Sequence, residues 1–70
     1  MENIDFSLSS DYIELIKLLK LLNLVESGAD AKIVVEEGLV KCNKEVEFRK
    51  RKKLRAGDVV MFQNTVIKVS

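Results

Sequence analysis

Between Arg49 and Arg55 the chain is too highly charged to be buried. Six of these seven residues are positive, with only Leu54 between them: Arg49, Lys50, Arg51, Lys52, Lys53 and Arg55. Since neither alternating face can enter a core, the segment must run along the surface as a loop or sheet edge. Clustered like charges repel each other and bound phosphates relieve the repulsion, so the run predicts a surface for a polyanion. The alternative is a solvated edge whose lysines only prevent aggregation between sheets.

The charges of the whole chain, including this run, are divided unevenly along its length. Residues 1–40 hold three basic residues against eight acidic ones, a net charge of −5. Residues 41–70 hold nine basic residues against three acidic ones, a net charge of +6. The total of +1 therefore conceals a basic C-terminal half, which again indicates a polyanionic partner.

The composition argues against catalysis and metal binding. The chain has no histidine, and Cys42 is its single cysteine, so the sequence predicts no metal site, no cofactor and no internal disulfide. Glu36 and Glu37 are adjacent on a predicted helix and point in different directions, so they do not form an acid–base pair. We expect a protein that is not an enzyme and takes no small-molecule substrate.

Length and hydropathy predict one domain over residues 1–70. The longest apolar stretch, residues 18–25, is interrupted by polar residues and is shorter than the ~20 residues that a membrane helix needs. Glu2 and Asp5 stand where a secretory leader would be basic. We expect a cytoplasmic monomer that does not bind membranes.

Hydrophobic periodicity predicts the element order β-α-α-β-β-β. Residues 4–8 alternate as a short strand does. A first helix should run from about Tyr12 to Leu22, with an apolar face that includes both ends and also Leu21. Ser10 or Asp11 can cap this helix, and Glu14 stands at the capping-box distance from Asp11.

Residues 27–37 predict a second helix. Ser27 can serve as its N-cap, Asp30 follows three positions later, and Gly38 marks the end. The β-branched residues 33–35 taken alone favour a buried strand, but the cap and the glycine favour the helix.

The rest of the chain alternates with period two. Asn43 and Lys44 predict a two-residue hairpin turn between strands at 39–42 and 46–48. After the basic run, the sequence predicts a turn at 56–58 and two further strands at 59–62 and 65–69.

Neighbouring segments could extend the basic surface. Lys41 and Lys44 lie on the hairpin, where Asn43 either forms the turn, the favoured role, or donates a hydrogen bond to the bound polyanion. Lys32 lies one turn into the second helix, whose N–H groups near Ser27 could hold a phosphate. Simple capping explains the same residues, because nearby carboxylates would partly repel an anion.

These elements resemble a known family from about Ile13 to Val60. The matching stretches are LIKLLKLLNLVES, SGADAKIVVEEG, LVKCNKEV and LRAGDVV. They resemble the S-four domain, the alpha-L RNA-binding motif named after a small-subunit ribosomal protein, and look most like its short stand-alone bacterial members. The resemblance implies that the second helix and the following strand contact structured RNA, usually ribosomal. Carried across by position, it implies contacts at Ser27, Lys32, Lys41, Asn43 and Lys44.

The chain departs from the family pattern on the helical side of this surface. Other members often have basic residues in place of Glu14 and Gly28, and more polar or basic residues in place of Glu36 and Glu37. The departures weaken the helical side and leave residues 49–55 as the safer site.

We therefore expect an α+β fold, two helices on a small, mostly antiparallel sheet, that binds structured RNA through phosphates and sugars. Only four residues are aromatic, most of them at positions typical of a core, so a stacking platform for single strands is not indicated: Phe6, Tyr12, Phe48 and Phe62. A DNA-binding module is the nearest rival, because phosphate electrostatics cannot distinguish the two polymers. A protein-interaction adaptor is the rival from another class. Catalysis enters only if the domain targets an RNA-modifying enzyme.

Overall fold

The computed structural model describes all 70 residues, and it is an α+β fold with two helices on a mixed, mostly antiparallel sheet. The helices are α1 (Leu15–Leu21) and α2 (Gly28–Glu36). The strands are β1 (Glu2–Phe6), β2 (Ile13–Glu14), β3 (Val40–Cys42), β4 (Glu45–Val46), β5 (Lys53–Leu54), β6 (Val59–Phe62) and β7 (Thr65–Val69). The predicted fold class is confirmed, with short strands added to the predicted order.

The main sheet has the strand order β1-β7-β6-β3-β4, and β2 and β5 form a separate pair. Only β1 and β7 are parallel, with Glu2 opposite Thr65 and Phe6 opposite Val69. All other pairs are antiparallel. Alternation along β6 and β7 buries Val60 and Ile67 completely, so this face of the sheet forms the floor of the core.

The core lies between this face and the two helices. Leu15, Leu18 and Leu19 of α1 are fully buried, as are Ala31 and Val35 of α2. Removing a leucine side chain from water contributes about 1.5 to 3 kcal/mol, so α1 supplies much of the stability of this small domain.

The predicted start of α1 is wrong. The helix begins at Leu15 rather than near Tyr12, and no side chain caps it, so the capping box of Asp11 and Glu14 does not form. Instead the N–H of Leu15 donates to the carbonyl of Lys52 at 2.9 Å, and that of Ile16 to the carbonyl of Lys50 at 3.1 Å. These bonds satisfy the first helical N–H groups from a distant segment, and they keep the preceding residues extended as β2.

Two side chains of the predicted apolar face are therefore misplaced. Tyr12 precedes the helix and is 38% exposed, while Leu21 is 57% exposed because the helix presents that side to solvent. The residues between them that do pack against the sheet keep the 3.6-residue period, which explains why a helix was nevertheless predicted here.

The prediction for α2 agrees with the structure at both ends. The hydroxyl of Ser27 accepts a hydrogen bond from the N–H of Asp30 at 3.2 Å, as an N-cap does. Gly38 has a φ of +74°, and the N–H groups of Gly38 and Leu39 donate to the carbonyls of Val35 and Val34. This is a Schellman ending, in which glycine tolerates the left-handed backbone.

The hairpin after α2 turns at Asn43 and Lys44, as predicted, with φ values of 53° and 74°. The predicted second strand is too long, because β4 ends at Val46. The carboxylate of Glu47 accepts a hydrogen bond from the N–H of Arg49 at 3.0 Å, which turns the chain away from the sheet. Phe48 is consequently 62% exposed and not a core residue.

Neither helix has the length and apolar character needed to span a bilayer.

Candidate nucleic-acid interface

Residues 49–55, called the basic loop below, lie against the N-terminal end of α1. Their backbone is held by the two hydrogen bonds from α1 and by the pairing of β5 with β2. Leu54 is fully buried, so the single apolar residue of the run anchors it in the core. The prediction that the run crosses the surface is correct, and its cations are carried on a fixed backbone.

Two cations of the basic loop are paired with carboxylates. The guanidinium of Arg49 donates to Glu47 through Nε at 2.9 Å and Nη2 at 3.0 Å. The side-chain hydrogen bond from Arg49 lowers the pKa of the Glu47 carboxyl, so the pair is charged at neutral pH. The ammonium of Lys50 forms an ion pair with Glu36 at the end of α2. We call Arg49 and Lys50 the paired end of the loop.

The other four cations form no ion pair: Arg51, Lys52, Lys53 and Arg55. We call them the free end of the loop. Three of them line an open depression together with Arg49, and every residue of its lining is basic: Arg51, Lys52 and Lys53. A concave surface lined only by positive charge concentrates anions.

Asp58 joins the free end to the hairpin turn. One of its oxygens accepts from Asn43 Nδ2 at 3.1 Å, and the other from the N–H of Arg55 at 2.8 Å. Burial opposes ionisation, but these two hydrogen bonds and the charges of Lys52 and Arg55 lower the pKa of Asp58. Because Asn43 also accepts from the N–H of Val59 at 3.0 Å, its side chain has a structural role, the favoured one of its two predicted roles.

The other predicted contact residues lie around the basic loop at different distances. Lys41 and Lys44 are exposed on the hairpin that Asp58 ties to the loop. Lys32 is exposed one helical turn before Glu36, which pairs with the loop, so it borders the same surface. Ser27 is at the opposite end of α2, about 13 Å from Glu36 along the helix axis. Its hydroxyl caps the helix.

Sequence reasoning missed Tyr12 as a surface residue. Its ring centre lies 4.9 Å from Lys53 Nζ and 5.7 Å from Arg55 Cζ, so two cations of the free end surround an exposed aromatic ring. The signal in the sequence was the polar stretch from Ser9 to Asp11 before the tyrosine, which is more typical of a loop than of a helix.

Cys42 does not belong to this surface. The thiol is buried, and burial raises its pKa to about 11, so it packs as a small neutral side chain. No three carboxylate or thiol groups come together as metal ligands.

Similarity to known proteins now identifies the family. The model of the S4 domain, named S-four above, matches residues 6–70. YbcJ of Escherichia coli (strain K12), whose name proposes RNA binding, is 48% identical over 58 residues, and the match covers 83% of each protein. YbcJ of Shigella flexneri matches with the same identity and coverage. This chain belongs to the S-four domain family.

The fold of the family is also the fold of this chain. The solution structure of E. coli YbcJ superimposes with a TM-score of 0.70 at 47% identity, covering 93% of this chain and 84% of that one. That structure is described as revealing an alpha-L motif involved in RNA binding. The resemblance to the S-four domain and its short bacterial members is thereby confirmed.

Proposed function

We propose that this protein is a non-catalytic binder of structured RNA, and that the free end of the basic loop is its main contact. The observation that carries the proposal is a group of four cations without carboxylate partners on a backbone fixed to α1. Lys32, Lys41 and Lys44 extend the surface on either side. Contacts are chiefly to phosphates and sugars, and the target is ribosomal RNA or RNA associated with the ribosome in the cytoplasm.

The physical argument depends on charge and order together. Each phosphate that replaces diffuse counterions around a bound cation releases those counterions, which favours binding. Because the loop backbone is already held by α1 and β2, binding loses less conformational entropy than it would with a mobile basic tail. A fixed arrangement of cations also favours a target of defined shape, and this supports structured RNA over an extended strand.

RNA is preferred to DNA for a reason that comes from the family. Electrostatics alone would accept either polymer. The description of the YbcJ structure names RNA binding, and YbcJ is 48% identical to this chain over 58 residues. An RNA hairpin and a DNA hairpin of the same sequence provide the direct comparison.

The test is a titration of folded protein with ribosomal RNA fragments between about 50 and about 200 mM salt. If the free end contacts phosphates, Arg51→Ala with Lys53→Ala should reduce the slope of log K against log salt by about 1.4 to 1.8. The matched control is Lys20→Ala with Lys68→Ala, which removes the same charge from exposed sites outside the loop.

Four outcomes can be distinguished. A loss confined to the loop variant supports the proposal, and an equal loss in both variants means that only net charge matters. No binding by the wild type at the lowest salt would contradict the proposed function. Tighter binding to the DNA hairpin than to the RNA hairpin would favour the DNA-binding alternative.

A protein-interaction role is the second candidate, and an exposed apolar region favours it. Leu39, Val46 and Phe48 are 55%, 43% and 62% exposed. Phe48 and Val46 both lie close to Gly38. A Cβ atom added at Gly38 would be 3.3 Å from the phenyl ring of Phe48. Phe48→Ser should leave RNA binding unchanged. Loss of a co-purified protein in that variant, after nuclease treatment, would support the adaptor role.

A further inference from the structure

An open groove of about 590 Å³ lies between the end of β1 and α1, next to the basic loop. Five of its nine lining residues are hydrophobic, and these include Tyr12 and the exposed side chain of Leu21. Glu14 and Lys17 contribute a carboxylate and an ammonium to the same lining. A groove of this size that combines apolar side chains with polar groups can hold one small planar ligand.

Tyr12 connects the groove to the basic loop. Tyr12 is 38% exposed, and Lys53 Nζ and Arg55 Cζ lie 4.9 and 5.7 Å from the centre of its ring. A planar ligand that stacks on the free part of this ring would carry any attached phosphate to these two cations. A nucleotide has both parts, whereas an apolar peptide would leave the cations without a partner.

Glu14 is the one carboxylate in the lining of the groove. It precedes α1 without capping it, and it forms no ion pair. A carboxylate accepts hydrogen bonds and cannot donate them. It therefore favours a base with an exocyclic amine over uracil, whose one donor, N3–H, lies between two carbonyl oxygens that the carboxylate would repel.

We propose that the groove receives one unpaired nucleobase of the bound RNA, stacked on Tyr12, with Glu14 accepting from its exocyclic amine. Lys53 and Arg55 hold the flanking phosphates. This inference rests on the proposed function and adds a substrate class to it, namely RNA helices with a bulged or looped-out adenine, cytosine or guanine. The base is bound after leaving the helical stack, as in other single-nucleotide recognition of RNA.

The first test compares three RNA hairpins with the same stem: fully paired, with one bulged guanine, and with an abasic bulge. The wild type should bind the guanine bulge more tightly than the other two. Tyr12→Ala should lose about 5- to 150-fold in affinity for the guanine bulge, the range found for stacking contacts. Tyr12→Phe, which keeps the ring, should retain the preference, and neither variant should change the affinity for the fully paired hairpin more than about twofold.

The second test uses Glu14→Gln, which keeps the size of the side chain and removes its charge. The quantity measured is the ratio of affinities for guanine and uracil bulges, in which the general gain from losing a negative charge cancels. The ratio should favour guanine in the wild type and fall towards one in the variant. An unchanged ratio would remove Glu14 from the proposal.

The outcomes separate this inference from the proposed function. If all three hairpins bind equally and Tyr12→Ala has no selective effect, the base site is wrong while the phosphate surface stands. If no hairpin binds, both proposals are wrong. Equal loss on all hairpins in a variant that still melts at the wild-type temperature would assign Tyr12 to positioning Lys53 and Arg55, which also contradicts a base site.

Discussion

The two ends of the basic loop carry the same kind of charge in different surroundings. At the paired end, Arg49 is tied to Glu47 and Lys50 to Glu36. At the free end, four cations form no ion pair, and the backbone is held by the buried Leu54 and by Asp58. The paired end therefore offers little net charge to a ligand.

This difference shows that a run of charges in a sequence overstates the charge available for binding. Glu47 and Glu36 come from outside the run, and each cancels one cation of it. Where a cation forms no ion pair, its charge must be balanced by counterions or by a ligand. The distinction predicts which substitutions should affect folding, which should affect binding, and which should affect neither.

The largest effect is expected from Leu54→Ala, which removes the anchor of the free end. Leu54 is fully buried, and replacing such a leucine by alanine costs about 2 to 5 kcal/mol of unfolding free energy. Urea denaturation followed by circular dichroism measures this loss. Leu54→Val is the milder variant for the case in which the alanine variant does not fold. A loss below about 0.5 kcal/mol would mean that the loop is not held by the core.

The next effect concerns Asp58, which holds Arg55 and the hairpin turn together. In Asp58→Asn, one of the two accepting oxygens becomes an NH₂ group, which would face the donor of Asn43 or of Arg55. The substitution should lower the free energy of unfolding by about 1 to 2 kcal/mol. Because the pKa of Asp58 is lowered in the folded state, its carboxylate stabilises the fold above the ordinary value of 3.8. That contribution is lost as the pH falls below 3.8 through the folded-state pKa.

Acid denaturation of the two proteins tests this sign. The wild type should lose its advantage over Asp58→Asn below pH 3.8, and the difference should be constant from pH 5 to 7 on the basis of the same linkage. A difference that persists at about pH 2 would mean that packing, and not the carboxylate charge, stabilises the turn.

A smaller effect compares the two ends directly by RNA binding. Arg49→Ala with Lys50→Ala removes two charges that Glu47 and Glu36 already balance. We expect the salt slope to change by less than about 0.7, against about 1.4 to 1.8 for Arg51→Ala with Lys53→Ala. Equal slopes would mean that RNA displaces both carboxylates and that the distinction disappears on binding.

Local signals explain what could be predicted from this sequence. Ser27 and Gly38 mark the ends of α2 through interactions within four residues, and Asn43 with Lys44 sets the hairpin turn by backbone preference alone. The basic run was recognisable because charge density excludes it from any core. These features depend only on neighbours in the chain.

The features that could not be predicted depend on contacts between distant residues. α1 begins at Leu15 because Lys50 and Lys52 supply carbonyls from more than thirty positions along the chain, and no local pattern encodes that. The exposure of Tyr12 follows from this later start. The Lys50 ion pair likewise requires Glu36 to be close in space, which only the fold establishes.

The smallest effect on stability, and the most direct test of the comparison, is expected from Glu36→Gln. Lys50 would lose its carboxylate, and Lys32, one helical turn from Glu36, would lose a neighbouring negative charge. Stability should change by less than about 0.5 kcal/mol, because exposed ion pairs contribute little. RNA affinity should rise and the salt slope should steepen by about 0.7 to 0.9, as one more cation contacts phosphate.

Glu37→Gln is the matched control, since Glu37 is an exposed neighbour without an ion pair. A steeper slope in the Glu36→Gln variant alone would show that Lys50 then behaves like the cations of the free end. Equal changes in both variants would mean that the effect comes only from net charge.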